Sequence, residues 1–375
     1  MTESYIIDSL RERKLSLKRL DGIQWLRGIA AIMVVVAHSE ILFSDVFHRD
    51  FGAFLGFYGI GGVDIFFVIS GFIMTVVTSG DSFSMSDFLI RRIIRVGPTY
   101  WFYTSIFYLT AVIKPSLFGK FVLSGSDFIQ SILFLPHHNV VGELSPVILA
   151  GWTLNFEIFF YLVFAIFRSQ IGKPAIFIAL FFGMMISVGL VFDIQNAALF
   201  SYTRSIVLEF SAGCIIGQIY LSGRSFAGPV TVSCLLIGIA AFLALPLLIQ
   251  SNGITDLLGN GRLIARGLPA IFLVFAVVVI PKKWVPKNNP MVFMGDISFS
   301  LYLTHTITLR IASLVMRGHD FSVYGAVLAS IITIVTCFFA AVAAYYCLEQ
   351  PITNGLTSIY EKSRFNQMPE SKALT

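Results

Sequence analysis

The sequence predicts an all-α protein, a polytopic helical bundle of about ten transmembrane helices with both termini on the cytoplasmic side. Three observations carry this. Of the 375 residues 56% are hydrophobic, and the mean hydropathy is +0.83. Charged residues amount to 13%, about half of the ~25% usual in soluble domains. The apolar residues fall into runs of ~20, the length that crosses a bilayer core of ~30 Å. Together these exclude a water-soluble enzyme fold, a disordered or collagen-like chain and a nucleic-acid-binding tail. The net charge of +5 and the isoelectric point near 9.0 are explained by the positive-inside rule, without an anionic polymer as partner.

In chain order, residues 1–22 form a polar segment that includes the basic stretch RERKLSLKR. No cleavable signal-peptide pattern is seen there, and the segment is expected to be cytoplasmic. A membrane-bound domain over 23–351 follows, with spans predicted at 23–43, 54–77, 97–114, 147–167, 174–192, 203–221, 228–250, 263–281, 296–316 and 323–347. Residues 85–96 read as a separate basic interfacial helix. Residues 114–146 read as an external loop whose apolar middle, 128–135, dips into the interface. Residues 352–375 are expected to be a cytoplasmic tail, disordered beyond Gly355. With an even span count and the N-terminus inside, most of the 26 Lys and Arg fall on the inner side, among them Arg11, Arg13, Arg91, Arg92, Arg95, Arg168, Lys282, Lys283 and Lys362. The four cysteines, Cys214, Cys234, Cys337 and Cys347, all sit in apolar runs, so no disulfide framework is expected.

Ionisable groups within spans cost ~2.5–3.5 kcal/mol each at the bilayer centre, which makes them functional candidates. These are Arg27, His38, Asp64, Glu157, Arg204, Glu209, His305 and Arg310. Arg204 and Arg310 lie near span ends and could instead snorkel to an interface. Arg27 and His38 are eleven residues apart, about three helical turns, so both point from one face with ~16 Å between them. Asp64 sits among Gly59, Gly61, Gly62 and Gly71. Those glycines suit close helix packing, which does not account for the acid. Glu157 follows Trp152, read as an outer-interface anchor, and is therefore expected in the outer half of the membrane beside His38. A carboxylate there could orient the imidazole, bind a hydroxyl, or simply tie two helices together. Arg92 and Arg95 share a helical face at i, i+3. They suit phosphate recognition, although a plain positive-inside cluster has the same composition. No metal-ligand spacing occurs, and no metal is expected.

Taken together and in order, IQWLRGIAAIMVVVAH, GGVDIFFVISGF, RRIIR, GWTLNFEIFFYL, GDISFSLYLTH and LEQP resemble the acyltransferase 3 family of integral-membrane O-acyltransferases. The likeness runs from Ile23 to Pro351, and WTLNFEIFFYL is most similar to the exopolysaccharide acetyltransferase (ExoZ-like) branch. The resemblance implies a bacterial inner-membrane, multi-pass enzyme. Such an enzyme moves an acyl group, most simply acetyl, from cytoplasmic acyl-CoA to a hydroxyl of a polysaccharide or lipid-linked glycan. It implies catalytic roles for Arg27, His38 and Glu157, and acyl-CoA binding by Arg27, Arg92 and Arg95. It also implies supporting polar roles for Asp64, Ser70, Ser298, Ser300, Tyr302 and His305.

Acetyl-CoA would be a substrate, with no permanently bound cofactor. The bilayer, a homo-oligomer or a polysaccharide-synthesis assembly would be the other partners, and nucleic acid none. An extended pantetheine arm of ~15–20 Å matches the Arg27–His38 separation, with His38 as base. The rival readings are a secondary transporter or flippase for a polysaccharide precursor, whose buried polar residues would look alike, and a non-catalytic scaffold.

Overall fold

The computed structural model describes residues 20–47, 56, 58–80, 82–115, 123–224, 226, 228–250, 261–280, 284 and 289–366. The predicted basic groups at 11–19, Lys282, Lys283, Lys287 and Lys372 lie outside the described residues. Among those described, the regular elements are all helical, with one isolated bridge between His138 and Leu144. In chain order they are α1 (Asp21–Asp45), α2 (Gly61–Val77), α3 (Met85–Ile113), α4 (Gly125–Ile132), α5 (Gly151–Gln170), α6 (Ala175–Val191), α7 (Ala197–Tyr202), α8 (Val207–Leu221) and α9 (Gly228–Gln250). After these come α10 (Leu268–Val279), α11 (Pro290–Asp296), α12 (Ser298–Met316), α13 (Val323–Ala344) and α14 (Gln350–Asn366). Single π turns, Leu263–Gly267 and Tyr345–Glu349, lead into α10 and α14.

Among the described residues each predicted span overlaps a helix, and five helical segments are long and apolar enough to cross a membrane. They are Asp21–Ser39, Gly151–Gln170, Gly228–Leu248, Ser298–Met316 and Val323–Asn366. Four more apolar helices are shorter, at Gly61–Val77, Ala175–Val191, Val207–Leu221 and Leu263–Val279. The outer faces remain oily. Leu236, Leu243 and Leu248 of α9, Ile176 and Leu180 of α6, and Leu328, Ile332 and Phe339 of α13 are all exposed. Such continuous apolar surface is unstable in water and suits lipid.

Two expectations are corrected. The interfacial helix at 85–96 and the span at 97–114 are one 29-residue helix, α3, started by the Ser84 side chain accepting from the Asp87 amide. Pro98 is accommodated inside it. Arg92 and Arg95 therefore stand ~10–15 Å along the axis from Met85, both partly exposed, the Arg95 side chain to 37%. The chain beyond Gly355 is also helical as far as Asn366, because α14 is clamped to α3. Arg91 reaches Glu361 at 2.9 Å, and Arg364 reaches Asp87 at 3.0 Å.

These clamps gather several ends together. Arg27 donates to Ser298, Arg95 pairs with Glu349, and Arg168 at the close of α5 caps the carbonyls of Thr78 and Gly80. The start of α1 and the whole of α14 thus share one end of the bundle. At the other end, Trp101 holds the Ile132 carbonyl and so ties α4 to α3.

Helices α2 and α8 touch backbone to backbone. A Cβ on Gly71 would lie 2.0 Å from the Phe210 carbonyl oxygen, and one on Gly213 would lie 2.0 Å from that of Val68. Since both clashes are with main chain, no side-chain movement relieves them. Gly213→Val is accordingly expected to abolish the monodisperse peak of detergent-solubilised protein in fluorescence-detected size exclusion. Gly183→Val, at a position with open space around its Cβ, should leave that peak in place.

Candidate functional site

Five helices converge on a cavity of about 610 Å³. Helix α1 contributes Gln24 and Arg27, α2 contributes Phe67 and Ser70, and α3 contributes Arg92 and Arg95. Thr153, Glu157 and Tyr161 come from α5, and Ser298, Phe299 and Tyr302 from α12. The sequence spacing explains the convergence. On α5, Thr153, Glu157 and Tyr161 are successive i, i+4 neighbours and form one stripe, and the same rule puts Ser298 and Tyr302 on one face of α12.

The polar atoms are held firmly. Arg27 donates to Gln24 Oε1 and Ser298 Oγ, each at 2.9 Å. Tyr161 donates its hydroxyl proton to Glu157 Oε1. Arg95 Nη1 lies 2.9 Å from Glu349 Oε1, whose other oxygen accepts from Ser300 at 2.6 Å. Arg92 stacks on Phe88 at 5.4 Å. Both Arg92 Nε and Ser70 Oγ, buried at the cavity wall, lack a hydrogen-bond partner among the described residues. Three guanidiniums face the cavity against one carboxylate, Glu157. The space therefore favours an anion, and unpaired donors are ready for it.

Glu157 is not where the sequence suggested. It shares the cavity with Arg27, Arg92 and Arg95 and interacts electrostatically with all three. Trp152 is half-buried. It packs edge-on against Phe67 and Phe156, with the Arg262 guanidinium 5.7 Å from its ring. With Glu157 and the three arginines lining one cavity, the expected separation between them disappears.

His38 is absent from the cavity wall. Its ring meets that of His305 edge-on at 5.0 Å, and His305 lies 5.8 Å from the ring of Tyr302. Tyr302 closes the inner end of the cavity, its hydroxyl held by Thr153 at 2.8 Å and by the Ala150 carbonyl at 3.2 Å. Arg27 and His38 do share a face, since both meet α12, at Ser298 and His305. Each histidine has Nδ1 on a backbone carbonyl, Val34 for His38 at 2.9 Å and Leu301 for His305 at 3.1 Å. A carbonyl only accepts, so in the neutral rings Nδ1 carries the proton and Nε2 keeps its lone pair.

Asp64 lies outside the cavity and forms a buried two-pronged pair with Arg262, with Nε to Oδ1 at 2.9 Å and Nη2 to Oδ2 at 2.8 Å. Glu209 interacts electrostatically with both. Arg204, stacked at 3.6 Å on Phe200, and Arg310 are also away from the cavity lining. Sequence reasoning missed Arg262, Tyr161 and Glu349. Arg262 precedes its predicted span by one residue. Tyr161 was signalled by its i+4 spacing from Glu157, and Glu349 by its place in LEQP.

The described residues thus form an apolar helical bundle with an arginine-lined cavity, one of whose wall residues, Tyr302, neighbours a histidine pair. The model of the acyltransferase 3 family, an acyltransferase domain, matches residues 20–346. The chain belongs to that family. It is 33% identical over 307 residues to the exopolysaccharide production protein ExoZ of Rhizobium meliloti (strain 1021), covering 78% of this chain and 89% of that one. It is 26% identical over 373 residues to the O-acetyltransferase OatA of Staphylococcus aureus (strain NCTC 8325 / PS 47), covering 91% of this chain and 58% of that one. The peptidoglycan O-acetyltransferase OatA of Listeria monocytogenes (serovar 1/2a, strain ATCC BAA-679 / EGD-e) is 21% identical over 395 residues, again with 58% of its length covered. This chain thus spans little more than half the length of the OatA proteins. No solved structure matches it.

Removing one partner of the Asp64–Arg262 pair strands a buried charge, at a cost of ~3–5 kcal/mol. Arg262→Leu is expected to lower the thermal unfolding midpoint in detergent sharply. Asp64→Leu combined with Arg262→Leu should recover most of the loss.

Proposed function

We propose that this protein is an O-acetyltransferase of the bacterial inner membrane that takes acetyl from cytoplasmic acetyl-CoA and esterifies a hydroxyl of an exported polysaccharide or lipid-linked glycan. The observation that carries the donor half is the excess of guanidinium groups at the 610 Å³ cavity, which suits the phosphates of CoA. The names of the relatives, exopolysaccharide production and O-acetyl transfer, support the chemistry and the acceptor class over a transporter. The cavity lies towards the bundle end that bears Arg91, Arg168, Lys362 and Arg364, the charge bias of a cytoplasmic face. On this reading residues 1–22 and 352–375 are the cytoplasmic segments flanking the catalytic domain.

In this mechanism Arg92 and Arg95 bind the CoA phosphates, with Glu349 yielding Arg95 to the incoming anion. Arg27, fixed by Gln24 and Ser298, stands nearer the thioester. The acceptor oxygen attacks the acyl carbon, the C–S bond breaks, and CoA leaves as thiolate. His38 Nε2 takes the hydroxyl proton and returns it to the sulfur, so the cycle closes without redox change. His305 backs the His38 ring. Tyr302 stands between this pair and the cavity, so the acyl group must pass its ring to meet a hydroxyl held near His38. A second reading assigns the base to Glu157, which lines the cavity itself where His38 does not.

Two measurements test the proposal. His38→Ala should retain acetyl-CoA binding but lose transfer of labelled acetyl to glycan by at least a hundredfold. Retained transfer there, with loss in Glu157→Gln, would move the base to Glu157. Arg92→Ala should weaken acetyl-CoA binding by about tenfold or more in a direct titration, the scale of one charge-assisted contact at 1.4 kcal/mol per decade. An unchanged affinity would return the cluster to a purely topological role.

A further inference from the structure

A second cavity, of about 310 Å³, lies near the Gly151 end of α5, away from the Arg168 end. Its walls include His137, Leu149, Trp152, Asn155, Phe200 and Ser201. Unlike the first cavity it carries no charged wall residue apart from His137, and its polar atoms are waiting. The Asn155 side chain is only 3% exposed and its Oδ1 has no hydrogen-bond partner among the described residues. His137 is 4% exposed and its Nε2 likewise lacks a partner. Asp127 Oδ1, 3.8 Å away, is beyond hydrogen-bond range. His137 Nδ1 is engaged by the Leu135 carbonyl at 2.9 Å, so Nε2 is an acceptor in the neutral ring and a donor in the protonated one. Buried polar atoms are rarely left unsatisfied without a reason. Two at one cavity, beside a tryptophan ring, make a ligand the simplest one.

The geometry points to this cavity as the binding site for the sugar ring that accepts the acyl group, an inference that rests on the transferase reading above. A pyranose offers an apolar face of C–H groups to an aromatic ring and a rim of hydroxyls that both donate and accept. Trp152 and Phe156 supply the aromatic surface, and Asn155 and His137 supply acceptors for the rim. The volume sits at the lower end of the ~300–1,000 Å³ typical of small-molecule sites, enough for a single sugar unit and not for a CoA.

Its place in the fold fits as well. Trp152 lines this cavity and Thr153, the next residue, lines the arginine cavity. Thr153 is also the residue that holds the Tyr302 hydroxyl. The two cavities therefore meet at the first turn of α5, on either side of the wall that Tyr302 and Trp152 form.

The test uses the purified full-length protein in detergent with methyl β-D-glucopyranoside, methyl β-D-galactopyranoside and methyl α-D-mannopyranoside as probes. Binding is read by saturation-transfer NMR, and acetyl-CoA binding is titrated in parallel. Wild type should bind at least one glycoside. Asn155→Leu, which keeps the volume and removes the amide, should weaken that binding at least fivefold. Leu149→Trp should do the same by bulk alone, from a position 45% exposed where folding is not at risk. Acetyl-CoA affinity should stay within twofold in both variants. Binding of no glycoside by wild type, or equal binding by wild type and both variants, overturns the sugar site. Failure of wild type to bind acetyl-CoA would overturn the transferase reading instead, so the two failures are distinct.

Discussion

Arg27, Arg92 and Arg95 stand around one cavity inside a bundle of apolar helices, and much of the architecture serves to keep them there. Each guanidinium would be expelled from a low-dielectric interior unless matched. The matches come from distant parts of the chain: Glu349 from the turn before α14, Ser298 from α12, and Glu157 from α5. This web fixes α3, α5, α12 and α14 around α1 more specifically than apolar packing between helices could, because in lipid such packing has little driving force of its own. The compensation is incomplete at the cavity itself. The remaining positive potential and the unpartnered Arg92 Nε and Ser70 Oγ are what a phosphate-bearing substrate would meet.

A second buried charge system is built on the Asp64–Arg262 pair, with Glu209 beside it, and plays a different part. Asp64 sits in the glycine-rich α2, and Arg262 reaches it from the turn before α10 with both prongs engaged. It locks α10 against α2 and, through the Arg262 guanidinium over Trp152, supports the wall between the two cavities. The contrast is useful. A pair that satisfies itself holds the fold, while a cluster left with open donors awaits a ligand.

Much of this was legible in the sequence. The helical class, the membrane setting and the polar residues that matter could be read from composition, from ~20-residue apolar runs and from spacing. The shared face of Arg27 and His38 followed from helical arithmetic, and their partners Ser298 and His305 are seven residues apart on α12. What the sequence hid was depth and pairing. Helix α3 looked like two pieces because its charged first turns broke the hydropathy pattern, so Arg92 and Arg95 were put on a separate interfacial helix. Trp152 looked like an interfacial anchor because tryptophan favours that layer, and here it is half-buried against Phe67 and Phe156. Long-range partners such as Arg262 for Asp64 and Glu349 for Arg95 carry no local signature at all.

The central claim is that the arginine cavity, and no other part of the protein, receives the acyl-CoA. Its most direct test is photo-crosslinking with p-benzoylphenylalanine placed at Phe299, on the wall of the arginine cavity, or at Phe200, on the wall of the other. Radiolabelled acetyl-CoA should be captured from Phe299, in competition with unlabelled CoA, and not from Phe200. Capture from Phe200 alone, or competition-insensitive capture from both, would contradict the account.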